Sequence, residues 1–175
     1  LPGDEGRRWL FPAAEATLKL DAGAAGFSLP VSLRQLDDAQ LRLWAARGWL
    51  DPRYAADPHR RLVALDDARA SLDARVRSYL DANCAGCHRP GGVARSQFDA
   101  RFDTPLERAG LLSAEPVGGD LGVAGARLVV PGAPDKSILV LRLIDGGPFR
   151  MPPFGVHHEP APVVPLLEAW IRAMR

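Results

Sequence analysis

Apolar residues recur at helical spacing in four stretches of the chain, and the segments between them are rich in proline and glycine. Leu72, Val76, Tyr79 and Leu80 follow at intervals of four, three and one. That spacing puts them on one face of a helix, with Ser71 or Asp67 in front as a cap. Pro134-Asp135 opens a second helix that runs to about Ile144, with Ile138, Leu141 and Ile144 expected on its inner face, and Gly146-Gly147-Pro148 stops it. Pro165-Leu166 begins a last helix whose stripe is Leu166, Leu167, Trp170 and Ile171. The first and last of these can pack across one another. Further upstream, Leu36, Leu41, Leu43, Trp44 and Trp49 fall on a helix-like stretch that Gly48 can end.

The remaining pattern is extended or irregular. Leu18, Leu20, Phe27, Leu29, Val31 and Leu33 alternate around a Gly23-to-Gly26 turn, which suggests a hairpin. Phe98 to Phe102 reads as a short strand, Thr104-Pro105 as a cap for one helical turn, and Leu128-Val129-Val130 as a second extended piece. The fold class is therefore mainly α. The character changes near Asp66, which divides the chain into an accessory segment, residues 1–68, and a helical domain, residues 69–175.

Composition narrows the choice of partners. Charged residues make up 25% of the 175 and balance to a net +1, with arginines scattered among aspartates and glutamates. No basic stripe is present, so nucleic acid is not expected as a partner. The longest apolar runs, such as Ile138 to Leu141, are far too short to cross a bilayer. With 16 prolines and 17 glycines the connections are long and irregular, as they are where a bound group supplies part of the core.

The chemistry is concentrated in Cys84-Ala85-Gly86-Cys87-His88, which holds both cysteines of the chain. Two thiols three apart followed at once by histidine suit covalent attachment of haem: the thiols add across the porphyrin vinyl groups and the histidine ligates the iron. Other uses of this spacing fit less well. A redox dithiol would open a helix inside a strand-helix-strand unit, whereas Arg89-Pro90-Gly91-Gly92 follows here. A structural zinc site needs four ligands, and His59, His157 and His158 stand at no finger spacing. A disulfide closing so short a loop would stabilise little and leave His88 without a role. The expected cofactor is one covalent haem c with its iron. Such attachment is made in bacteria on the far side of the cytoplasmic membrane, so a periplasmic or extracellular location is expected. The chain begins at Leu1 without a leader pattern and is expected to be a mature or excised part of a larger protein.

The sixth iron ligand separates electron transfer from chemistry at the metal. Met151, in Arg150-Met151-Pro152-Pro153, is the candidate, because the flanking prolines hold the backbone that presents its thioether. The 63 residues from His88 to Met151 suffice to carry the chain across a haem edge and back on the other face. Met174 is expected to pack in the core, and His59 to sit in a surface loop. His157 and His158 are the rival ligands and would give a lower-potential centre. Arg89, Arg127, Arg142 and Arg150 are candidate partners for haem propionates. For Trp170, core packing competes with a hydrogen bond at the haem edge.

Tyr79 to His88, Val129 to Leu139, Arg150 to Pro153 and Leu166 to Ile171 together resemble class I monohaem c-type cytochrome domains of secreted bacterial redox proteins. The resemblance covers residues 69–175 and is strongest to C-terminal modules of larger chains, some linked to sugar dehydrogenase-like propellers or to polysaccharide oxidation. It implies a class I cytochrome c fold, with covalent bonds at Cys84 and Cys87 and axial ligands His88 and Met151. It also implies a redox protein as donor or acceptor, such as a sugar dehydrogenase or a polysaccharide-oxidising copper enzyme. The resemblance implies another such motif upstream in some relatives, but this chain has no cysteine there. Residues 1–68 are then expected to be a haemless remnant that shields or props the cytochrome half.

The expected function is electron transfer by a monomeric carrier that is not itself an enzyme. The alternative is a haem enzyme or gas sensor with an open or histidine-ligated distal position, served by His157 or His158.

Overall fold

A computed structural model describes residues 33–55, 61–96, 98–145, 147–153 and 162–174. Among these the protein is mainly α: five α-helices, three short 3-10 turns and no sheet. The helices are α1 (Asp38–Ala46), α2 (Pro52–Ala55), α3 (Leu72–Cys84), α4 (Ile138–Ile144) and α5 (Val164–Ala173). The expected hairpin before Leu33, His59, and the pair His157 and His158 lie outside the described residues.

Helix α3 starts where its cap dictates. The Ser71 hydroxyl accepts the Ala74 N–H at 3.1 Å, and Asp73 places a negative charge against the positive end of the helix. Its inner face buries Val76 and Leu80, and with them Arg77 and Ser78. Helix α5 buries Val164, Leu167, Trp170 and Ile171, and packs against both α3 and α4. Ile138, Val140, Val129 and Val163 complete a core with almost no exposed surface. Met174 packs against the edge of this core.

The helix expected from Pro134 is broken in two. A 3-10 turn, Pro134–Lys136, ends at Ser137, whose backbone is extended, and α4 starts only at Ile138. The fully buried Ser137 hydroxyl explains the break, because it donates to the Ala133 carbonyl and accepts the Val130 N–H, both at 2.9 Å. The restart rotates the apolar face. Ile138, Val140 and Leu143 are buried, whereas Ile144, expected inside, is 48% exposed.

Residues 127–129 are strung between two other segments by single parallel bridges, Leu112 with Val129 and Arg127 with Ser137. Phe98 to Phe102, expected as a strand, has no strand partner. Its backbone groups are taken up singly: Asp99 N–H donates to Ala109 O at 2.7 Å, and Ala100 N–H to His88 O at 2.9 Å. Phe102 N–H donates to the Asp81 carboxylate at 2.8 Å, while Arg77 reaches from α3 to the carbonyls of Arg101, Phe102 and Thr104. One helix thus holds both the cysteine motif at its end and the segment that lies over it.

The upstream part is tied to this body by polar contacts. Arg34 pairs with Asp103, Leu62 N–H donates to Arg34 O at 3.0 Å, and Val63 N–H donates to the buried Ser78 hydroxyl at 3.0 Å. Helix α1 ends as its sequence suggests, with Gly48 in the left-handed region at φ 70°. Leu36 and Leu41 are buried there, but Trp49 is 67% exposed beneath the Arg47 guanidinium.

Candidate haem site

Cys84 is the last residue of α3, and the next turn carries Cys87 and His88. Both Cys87 N–H and His88 N–H donate to Cys84 O, at 3.0 and 2.7 Å, so the motif coils directly off the helix. The tight turn depends on Gly92. A Cβ there would stand 2.1 Å from the Cys87 carbonyl oxygen and 3.0 Å from that of Arg89, and both obstacles are backbone. Gly92 therefore shapes the loop that presents the motif.

The two thiols are free. Burial pushes the Cys84 thiol up to about 12, with the neighbouring Cys87 adding to it. Cys87 is also raised by burial, and the Arg89 charge opposes this. Both shifts favour the protonated thiol.

His88 is half-buried, and its ring stacks on Phe98 with centroids 4.1 Å apart and planes inclined by 16°. Burial lowers its pKa, the Ser96 backbone opposes the shift, and the positive charge of Arg142 reinforces it. The Ser96 backbone acts as a hydrogen-bond partner of the ring, while the buried Nδ1 makes no hydrogen bond of good geometry. The imidazole is consequently neutral near pH 7, the form that ligates a metal.

Met151 N–H donates to Arg142 O at 2.9 Å, which fastens the Arg150-Met151-Pro152-Pro153 segment to the last turn of α4. The guanidinium of the same Arg142 lies over Gly118, its Nε is buried without a hydrogen-bond partner, and its charge is felt at His88. Arg142 is therefore the residue common to the His88 and Met151 surroundings. Arg127 is engaged elsewhere, with Glu115 at 2.9 Å and the Ala126 carbonyl at 2.8 Å. Trp170 is engaged too, and its Nε1–H donates to Asp73 at 2.9 Å.

These residues fit a covalently held haem. Two unpaired thiols and a neutral, half-buried imidazole stand on one turn of chain, and Arg142, whose Nε is buried without a hydrogen-bond partner, sets its charge toward the imidazole. Among the described residues no group of three or more His, Cys, Asp or Glu could hold a metal ion, so a protein-only zinc site finds no further ligands there. No described helix is long and apolar enough to cross a membrane.

Phe98 and Gly92 are the site residues that pattern reading missed. The Gly91-Gly92 pair directly behind the motif is a usable signal for the second, because a glycine is needed where backbone approaches backbone. Phe98 shows in the sequence only as part of an alternating stretch, and nothing in that alternation marks its contact with His88. No family model, curated protein or solved structure matches the chain.

Proposed function

We propose that this chain is a class I-like monohaem c-type cytochrome whose role is electron transfer between extracytoplasmic redox partners. Cys84 and Cys87 would bind the porphyrin covalently, and His88 and Met151 would be the axial ligands. When bound, the haem iron supplies a one-electron couple between its ferric and ferrous states.

The observation that carries this reading is the motif turn itself: two free cysteines and a neutral, half-buried histidine coiled off the end of α3. The chain's own residues account for the rest. A haem seated against the apolar core would lose water on that side, which would disfavour the more highly charged ferric state, and thioether sulfur from Met151 would favour ferrous iron relative to a second imidazole. A positive reduction potential is expected. Near-neutral net charge gives no electrostatic preference for one partner, and a sugar dehydrogenase or a polysaccharide-oxidising copper enzyme are both suitable redox proteins.

Production in bacteria that mature c-type cytochromes tests the proposal. The purified protein should carry one haem that resists acid-acetone extraction, and Cys84→Ser with Cys87→Ser should abolish it. Extractable haem, or none, would refute it.

A further inference from the structure

Phe98 is only 6% exposed, and its ring lies parallel to that of His88, 4.1 Å away between centroids and 16° off parallel. Both rings are mounted on restrained backbone. His88 N–H donates to Cys84 O at 2.7 Å, Ala100 N–H donates to His88 O at 2.9 Å, and Asp99 N–H donates to Ala109 O at 2.7 Å. The residue bearing one ring is thus hydrogen-bonded to the segment bearing the other.

An imidazole turns about its Cβ–Cγ bond in a broad torsional well, so its plane has to be set by its surroundings. A ligating histidine is usually oriented by a hydrogen bond from its second nitrogen. At His88 the buried Nδ1 makes no hydrogen bond of good geometry, and the Ser96 backbone is the polar group set against the ring. What lies flat along the ring is the face of Phe98, and rotation of the imidazole would drive its edge into that face.

We propose that Phe98 is a positioning residue that sets the plane of the His88 imidazole, and thereby the direction in which His88 presents its orbitals as an axial ligand. The inference rests on the haem reading. It assigns Phe98 a role beyond filling the core, since an aliphatic side chain of similar bulk would pack but would offer no flat face.

The plane of an axial imidazole controls how unpaired spin is distributed over the porphyrin in low-spin ferric haem, and the haem-methyl proton resonances report that distribution. The test is proton NMR of the ferric, haem-loaded protein for the wild type, Phe98→Leu, Phe98→Met and Phe98→Tyr. Leu111→Ala, a buried truncation in the same core, controls for loss of packing. Phe98→Leu and Phe98→Met are expected to move the methyl resonances by several ppm or change their order. Phe98→Tyr, which keeps the ring, and Leu111→Ala are expected to keep the wild-type pattern. Phe98→Met keeps much of the volume, so it serves if Phe98→Leu does not fold.

A wild-type pattern in the variants that lack the ring would overturn the inference while leaving the haem reading intact, and so would an equal disturbance in Leu111→Ala. A wild-type protein that carries no covalent haem would overturn the reading and the inference with it.

Discussion

Trp170 Nε1–H donates a 2.9 Å hydrogen bond to Asp73 Oδ1 across 97 residues of sequence, joining the last helix to the first turn of the helix that ends in the cysteine motif. The indole is itself nearly buried, so this bond ties the core to the N-terminal end of α3. Trp170→Phe keeps most of the packing and removes the donor. It is expected to cost about 1 kcal/mol, read as a lower denaturant midpoint. The haem absorption spectrum should be unchanged, and a shifted Soret band would mean that the indole addresses the haem after all.

Gly92→Ala probes the motif turn. The added methyl meets two backbone carbonyls, neither of which can move without displacing Cys87 or Arg89. An overpacking cost of about 1–3 kcal/mol is expected, together with a reduced yield of covalently attached haem. Gly91→Ala is a different case. That glycine sits at φ 73° in open space, so the cost there is backbone strain, and attachment should suffer less. Equal loss of attachment in both would remove the steric role assigned to Gly92.

Asp99 links stability to acid. Its carboxylate accepts from the Arg101 guanidinium at 2.7 and 2.9 Å and from the Thr104 hydroxyl at 2.8 Å, and these bonds hold it down to about 2. A carboxyl depressed on folding contributes stability that is complete above its unfolded value near 4 and is lost as pH falls toward about 2. Arg101 is half exposed, so screening leaves a contribution on the order of 1 kcal/mol. In Asp99→Asn the midpoint of urea unfolding should be lower than the wild type's at pH 6, and the two should converge near pH 2. A constant difference down to pH 2 would show that charge is not the source.

The upstream part can be tested by truncation. Removing residues 1–65 strips Asp103 of Arg34, leaves the buried Ser78 hydroxyl without the Val63 N–H, and takes the Leu65 carbonyl from Arg75. A loss of about 2–3 kcal/mol is expected from these polar contacts, with the haem spectrum retained. Unchanged stability would show that the segment does not prop the helical part.

Much of this arrangement was legible from residue pattern, and the failures have physical causes. Ser71 capping Leu72–Cys84, and Leu167, Trp170 and Ile171 lining Val164–Ala173, follow from local chemistry, because caps and stripes act within a few residues. The break at Ser137 was not legible, since it arises from a hydroxyl reaching Val130 seven residues back. Phe98 to Phe102 alternates like a strand but lacks a neighbour to pair with, and pairing is a property of the tertiary structure. The cysteine motif was visible outright. The links of Arg142 to both His88 and Met151 were not, because one uses its charge and the other its backbone carbonyl.

Optical spectra of the oxidised and reduced wild-type protein, set beside Met151→Ala, test the central claim most directly. The account predicts low-spin spectra in both states and, in the oxidised form, the weak far-red band of sulfur bound to ferric iron, lost in Met151→Ala. A band that survives the substitution, or a wild-type iron that is high spin or bis-histidine, would contradict it.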